Sequence, residues 1–213
     1  MDTPFVIDDF ISRSYQDMLY KHIIDDMSWY YLPSVSGVED HGAILPVGYT
    51  LSPDQDTFYR DIIHPIDGIT DEFAAGMLLP MAYEAQTHLQ FDSTIERIRI
   101  AMYHRSEGGV HRPHVDYYYP HHTMIYYLQD SDGDTIIYNE HVENMNRTYP
   151  KEFSIKETFS PKMGRAIFID GLDYHSSSPP TQHRTRIAIN FNFVPVGGGE
   201  RDNNWSVVGL KGY

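Results

Sequence analysis

The 213-residue chain contains no cysteine. Disulfides, thiolate nucleophiles, iron–sulfur clusters and cysteine-ligated zinc are thereby excluded, so any metal must be held by imidazole and carboxylate. Positive charge is scarce as well: 16 Lys and Arg stand against 30 Asp and Glu, a formal net charge of −14. Phosphate contacts dominate nucleic-acid affinity and such a balance repels them, so no nucleic-acid partner is expected. Long apolar runs are missing too. No stretch approaches the roughly 18 residues of a membrane helix, and no membrane partner is expected. The opening Met1-Asp2-Thr3-Pro4-Phe5 lacks the basic and apolar regions of a secretory signal. A cytoplasmic location is therefore expected, and the glycosylation triplet Asn146-Arg147-Thr148 carries no weight.

What remains is ordinary for a globular chain, with 41% hydrophobic and 22% charged residues. The length suits a single domain, residues 1–213, with a core of its own. No repeat is visible. Within it the sequence predicts a helical support region over 1–94, a β core over 95–195 and a glycine-rich tail over 196–213. In the first region Pro4-Phe5-Val6-Ile7 reads as a short strand. Ser12 is a candidate N-cap, followed by Tyr15, Met18, Leu19, His22 and Ile23 at helical spacing. A second helix is expected over 70–89, with a kink or fresh start at Pro80. Residues 33–55, rich in Pro, Gly and Ser, read as loop.

From residue 95 the period changes. Arg97, Arg99 and Ala101 alternate with Ile98, Ile100 and Met102, the pattern of a half-buried strand. Further strands are predicted at 123–128, 135–138, 153–159, 165–169 and 186–194, separated by Gly, Pro and Asp turns. Short strands at this spacing indicate a sandwich or barrel. The fold class expected is mainly β with supporting helices (α+β). The tail after Gly197-Gly198-Gly199 holds Trp205 and Val207-Val208, which suggest that part of it docks.

Twelve histidines make any single one uninformative. The informative unit is His114-Val115-Asp116. Residues two apart in a strand face one side, so His114 and Asp116 can reach one metal ion. A distant histidine such as His175 would complete two imidazoles and one carboxylate, the facial set that leaves positions open in non-haem iron(II) oxygenases. A rival, His141-Val142-Glu143, sits in a polar stretch that reads as exposed loop. Asp130-Ser131-Asp132-Gly133-Asp134 invites calcium, but it lacks helix–loop–helix surroundings and a closing glutamate and reads as a hairpin turn. His121-His122 read as loop residues near the site mouth. His104-Arg105 and His111-Arg112 read as solvated loop charges or, alternatively, as a basic rim for an acidic substrate.

Three blocks together resemble the prolyl-4-hydroxylase-type 2-oxoglutarate oxygenases. They are Met102-Tyr103 followed by His114-Val115-Asp116, then Met124-Ile125-Tyr126-Tyr127-Leu128, then Pro161 to Asp170 with His175 and Thr185 to Phe191. The resemblance implies a double-stranded β-helix (jelly-roll) core. It implies iron(II) held by His114, Asp116 and His175, with 2-oxoglutarate as co-substrate and ascorbate as an accessory reductant. It also implies an arginine for the far carboxylate of 2-oxoglutarate, Arg186 in preference to Arg184, since a guanidinium offers two parallel donors and keeps its charge when buried. Tyr127 would assist that contact and Tyr103 would line the co-substrate. Asn190 and Asn192, sharing the facing of Arg186, would line the pocket or act as structural amides. The activity implied is hydroxylation of a C–H bond in a peptidyl proline, an amino acid or a small metabolite, with O2 consumed and succinate and CO2 released. Asp116 argues against a halogenase, which needs a small residue there. Two other readings stay open at this level: a cupin-like metalloenzyme without 2-oxoglutarate, and a non-catalytic binding module on the same fold.

Overall fold

In a computed structural model, which describes residues 3–35, 42–89, 91–143 and 148–197, the alternation from residue 93 builds one large antiparallel sheet. In chain order the elements are β1 (Phe5–Ile7), α1 (Arg13–Asp25), β2 (Tyr30–Leu32), β3 (Thr57–His64), β4 (Gly68–Ile69), α2 (Glu72–His88), β5 (Ser93–His104) and β6 (His122–Tyr127). There follow β7 (Thr135–His141), β8 (Ile155–Phe159), β9 (Ala166–Asp170), β10 (Asp173–Ser177) and β11 (Thr185–Pro195). The major sheet runs β1-β9-β6-β11-β5-β3-β2, with β4 on β3; the minor sheet runs β10-β7-β8. Among the described residues no helix is long and apolar enough to cross a membrane.

β11 shows why the sheets stack. Its odd-numbered residues Ile187, Ile189, Phe191 and Phe193 are fully buried in the core cluster that also holds Leu19, Ile23, Leu78 and Met81 of the helices. Its even-numbered residues Arg186, Ala188, Asn190 and Asn192 take the opposite face. The strand register carries this pattern to β5, where Arg186 sits opposite Tyr103 and Asn192 opposite Arg97. A separate buried cluster, including Ile125, Tyr127, Ile137, Phe159 and Ala188, joins the two sheets. The result is the jelly-roll core expected, with helices against one face of the major sheet and the minor sheet over the other.

Several expectations are modified. The first 94 residues are not only helical support, because β1, β2, β3 and β4 all belong to the major sheet. Isolated strands cannot satisfy their backbone groups, so β3 completes β5 and β1 completes β9. α2 runs through Pro80 without a fresh start. Seven of its residues are buried, including Leu78, Met81 and Ala82 on either side of the proline, and that packing outweighs one missing backbone bond. Its start follows local rules: the Asp71 side chain accepts from Ala74 N at 3.0 Å. Ser12 occupies the N-cap of α1 through its backbone carbonyl, with no side-chain cap. Trp205, Val207 and Val208 lie outside the described residues.

Candidate metal centre and co-substrate pocket

His114 does not sit in a strand, contrary to the strand geometry expected for it. It lies in an extended segment tied to β10 by an isolated antiparallel bridge with His175. His114 N donates to His175 O at 2.9 Å, and His175 N donates to His114 O at 2.9 Å. The two histidines are thus coupled through their own backbones. Ligand atoms of His114, Asp116 and His175 all lie within 4.8 Å of one another.

The tautomers are fixed locally. His114 Nδ1 lies 3.0 Å from the carbonyl of Arg112, and His175 Nδ1 lies 3.2 Å from that of Asp173. A carbonyl only accepts, so each Nδ1 carries the proton and each Nε2 presents a lone pair. His175 Nε2 is buried with no hydrogen-bond partner among the described residues. Burial lowers both imidazole pKa values, that of His114 to about 4 with its neighbour His175 adding to the shift. Both rings are therefore neutral near pH 7, the form that ligates metal.

Asp116 is the charged member. Burial alone would raise its pKa, but Arg97, His175 and His114 outweigh burial and hold it well below the usual carboxylate range. Arg97 Nη2 donates to Asp116 Oδ1 at 2.6 Å, and Asn192 Nδ2 donates to Oδ2 at 2.8 Å. Arg97 Nε donates to Asn192 Oδ1 at 2.9 Å, which fixes the amide so that Nδ2 also reaches Thr123 Oγ1 at 2.9 Å. Two neutral imidazoles with free Nε2 lone pairs and one oriented carboxylate fit a divalent ion.

A pocket joins His114 and His175 to Arg186, with Thr135, Ser177 and Ala188 among its walls. Arg186 is 2% exposed. Its Nε donates to Gly133 O at 2.7 Å and its Nη2 to Thr135 Oγ1 at 2.6 Å. Tyr127 donates to the same Thr135 Oγ1 at 2.7 Å, and the guanidinium stands 5.2 Å from the Tyr103 ring and 5.5 Å from the Tyr127 ring. All these partners are neutral. Arg184, the alternative weighed above, is exposed on the loop before β11.

The aspartates of 130–134 hold this end together instead of binding calcium. Asp132 accepts from Thr181 N, Gln182 N and His183 N at 2.9, 2.8 and 3.0 Å, and from Thr181 Oγ1 at 2.7 Å. Asp130 accepts from Met163 N at 2.7 Å. Gly133 packs against Ser178 O, and an added Cβ would also stand 3.0 Å from Arg186 Cδ, so no side chain fits there.

The structure moves several other residues from their expected places. Asn192 does not line the co-substrate pocket; it is fully buried behind Asp116, with its amide bonded to Arg97, Asp116 and Thr123. Asn190 is the asparagine among the pocket walls. His111 is not a solvated rim residue. It is 1% exposed, packs its ring against Tyr103 at 4.7 Å and bonds Ser177 Oγ at 2.8 Å. Burial, with Arg186 and His114 nearby, lowers its pKa to about 3. His121 is likewise buried, against Gly171, while His122 opens β6. His141 ends β7 and pairs with Asp173 at 2.7 Å, so the rival His141-Val142-Glu143 forms no metal set; the described residues hold only the one cluster.

Arg97 and Thr135 were not singled out by sequence. For Arg97 the signal was present in part, since it shares the facing of Tyr103 and Ala101 on β5.

Residues 98–194 match the 2OG-Fe(II) oxygenase superfamily. They form a 2OG-Fe(II) oxygenase domain, and with it the chain is a 2-oxoglutarate-dependent dioxygenase; the two open alternatives, a cupin-like enzyme and a binding module, are set aside. No curated protein matches the oxygenase. Solved structures share its fold. SnoN, the non-haem α-ketoglutarate-dependent epimerase of nogalamycin biosynthesis, gives a TM-score of 0.60 at 11% identity, covering 91% of this chain and 78% of that one. HygX from Streptomyces hygroscopicus, solved with nickel and 2-oxoglutarate, gives 0.56 at 9% identity over 91% and 83%. A Trichoplax adhaerens prolyl hydroxylase, solved with a hypoxia inducible factor peptide, gives 0.55 at 13% identity over 90% and 83%. At these identities the likeness establishes the fold.

Proposed function

We propose that this oxygenase hydroxylates a C–H bond of a substrate placed beside His114 and Asp116, with release of succinate and CO2. One observation carries the reading: a single pocket holds His114 and His175 at one end and the charge-unpaired, buried Arg186 at the other. We treat residues 3–197 as one catalytic domain, since strands from both halves enter the same sheet.

Iron(II) would be held by Nε2 of His114 and His175 and by the Asp116 carboxylate. Bound there, it supplies the activation of O2 coupled to oxidative decarboxylation of 2-oxoglutarate. The remaining work belongs to the chain. Arg186 pairs with the far carboxylate, its Nε and Nη2 already anchored so that the guanidinium cannot rotate. Burial raises the Tyr127 hydroxyl pKa, so it stays a donor. Thr135 accepts from both Tyr127 and Arg186, leaving Arg186 Nη1 without a partner among the described residues. Tyr103 closes one wall, backed by the tilted ring of buried His111, and excludes water from the co-substrate. Arg97 and Asn192 act through Asp116, fixing the carboxylate in the plane it offers to the ion.

The test is oxygen-dependent succinate formation by iron-loaded protein, with ascorbate present to keep the metal reduced. Basal, slow turnover of 2-oxoglutarate is expected in the wild type and none in His175→Ala. Equal succinate formation by the two proteins would overturn the assignment.

A further inference from the structure

A second chamber, sharing Tyr103, His114 and Asn190 with the first, opens beside Asp116, with walls that include Tyr59, Arg97 and Arg99. Two guanidinium groups enter it from one strand, two residues apart on β5 and therefore on one face. Each is held rigid by bonds that leave one nitrogen over. Arg97 uses Nε on Asn192 and Nη2 on Asp116. Arg99 uses Nε and Nη2 on the two oxygens of Asp61, at 2.7 and 2.9 Å, and lies 4.8 Å over the Tyr59 ring. Nη1 of both arginines has no hydrogen-bond partner among the described residues.

The acceptors in the chamber do not match these donors. Asp116 is the one carboxylate among its walls, and both of its oxygens already accept. Guanidinium N–H groups left unpaired when a ligand excludes water are costly, so a ligand that fills the chamber must bring acceptors of its own. Acceptor oxygens carrying charge, arranged in a plane, meet two parallel N–H donors best.

Resting on the metal and co-substrate sites proposed above, we propose that the primary substrate is a small carboxylic acid, its carboxylate held by Arg97 and Arg99. The carboxylate anchors the molecule on β5, and the carbon to be oxidised lies on the side of the acid nearer His114 and Asp116. Each arginine already has an aspartate counter-ion, so what the pair offers a ligand is its remaining N–H donors.

The test uses protein loaded with nickel(II) and 2-oxoglutarate, so that no turnover intervenes. It is titrated with a library of small aliphatic, aromatic and α-amino carboxylic acids, each paired with its primary amide. Thermal midpoint reports binding. At least one acid is expected to raise the midpoint and to bind roughly tenfold or more tightly than its amide. The paired variant Arg99→Gln with Asp61→Asn, which leaves no uncompensated charge behind, is expected to erase that preference while 2-oxoglutarate still stabilises the protein. Arg97→Lys gives a second reading of the same preference if the paired variant does not fold. The proposal is overturned if no acid binds, if acids and amides bind alike, or if stabilisation by an acid vanishes on saturation with 2-oxoglutarate. Failure of 2-oxoglutarate itself to stabilise the nickel-loaded protein would instead remove the reading on which the proposal rests.

Discussion

Two buried arginines mark the two ends of the inner face, and they are held in opposite ways. Arg97, 3% exposed, is ion-paired with Asp116 at 2.6 Å. Arg186, 2% exposed, has only a carbonyl, a hydroxyl and two aromatic rings for company. A buried charge without a counter-ion is costly unless an anion arrives. The difference is one of counter-ions: Arg97 already has a carboxylate of the protein, and Arg186 has none among the described residues. In the proposed reading Arg97 orients the Asp116 carboxylate, and Arg186 receives its counter-ion when 2-oxoglutarate occupies the pocket.

The largest effect should come from breaking the paired end. Arg97→Met leaves Asp116 buried with its charge uncompensated, and metal-free protein should lose about 3–5 kcal/mol of unfolding free energy. Nickel(II) should restore part of that loss, because the ion replaces the missing cation. Denaturant unfolding with and without the metal measures both. Unchanged stability would mean that Asp116 does not depend on Arg97.

Breaking the unpaired end should look different. Arg186→Met should weaken 2-oxoglutarate binding by about 100-fold, while the ligand-free protein keeps or gains thermal stability, since an uncompensated cation has been removed. A fall in stability as large as that of Arg97→Met would erase the contrast. Thr135→Val tests the same end more finely. It keeps the side-chain shape but removes the hydroxyl that receives both Tyr127 and Arg186, and about a tenfold weaker 2-oxoglutarate affinity is expected. Isothermal titration of the nickel-loaded protein reads both variants.

The smallest effect concerns pH. His111 packs beside the Arg186 end with a folded pKa of about 3 against an ordinary 6.5. Between those values the unfolded chain binds a proton that the folded chain refuses, so stability rises with pH and falls on acidification through that window. The slope from one such group is at most about 1.4 kcal/mol per pH unit. His111→Gln retains a partner for Ser177 and should make the acid-side fall shallower by that amount. An unchanged slope would show that His111 is not held neutral.

Much of this layout was legible in the sequence, because period and chemistry agree. On β11 the apolar residues Ile187, Ile189, Phe191 and Phe193 defined one face without ambiguity, and Arg186 was placed on the other. The meaning of that other face was not legible. Alternation in β5 reads as a strand with one wet face, yet Arg97 is buried, with Asp116 and the Tyr117 ring against it. Its partners come from distant segments, Asn192 across the β5–β11 register and Asp116 from the extended stretch before β6, and no local pattern encodes that. The same holds for His111, whose loop position in the sequence gives no hint of Tyr103 beneath it. His114 and His175 converge for a reason other than strand pairing predicted from sequence: the two-way backbone bond between them does it. Asn192 shows how facing can mislead, since it points inward with Arg186 but meets a ligand's neighbour and not the ligand.

The claim that ties both ends together is that His114, Asp116 and His175 hold iron(II) while Arg186 presents 2-oxoglutarate to it. Anaerobic titration of the protein with iron(II) and then 2-oxoglutarate tests it most directly. A weak visible charge-transfer band should grow with 2-oxoglutarate in the wild type, be absent from His175→Ala, and need far more 2-oxoglutarate in Arg186→Met. A folded, iron-loaded wild type that shows no such band would contradict it.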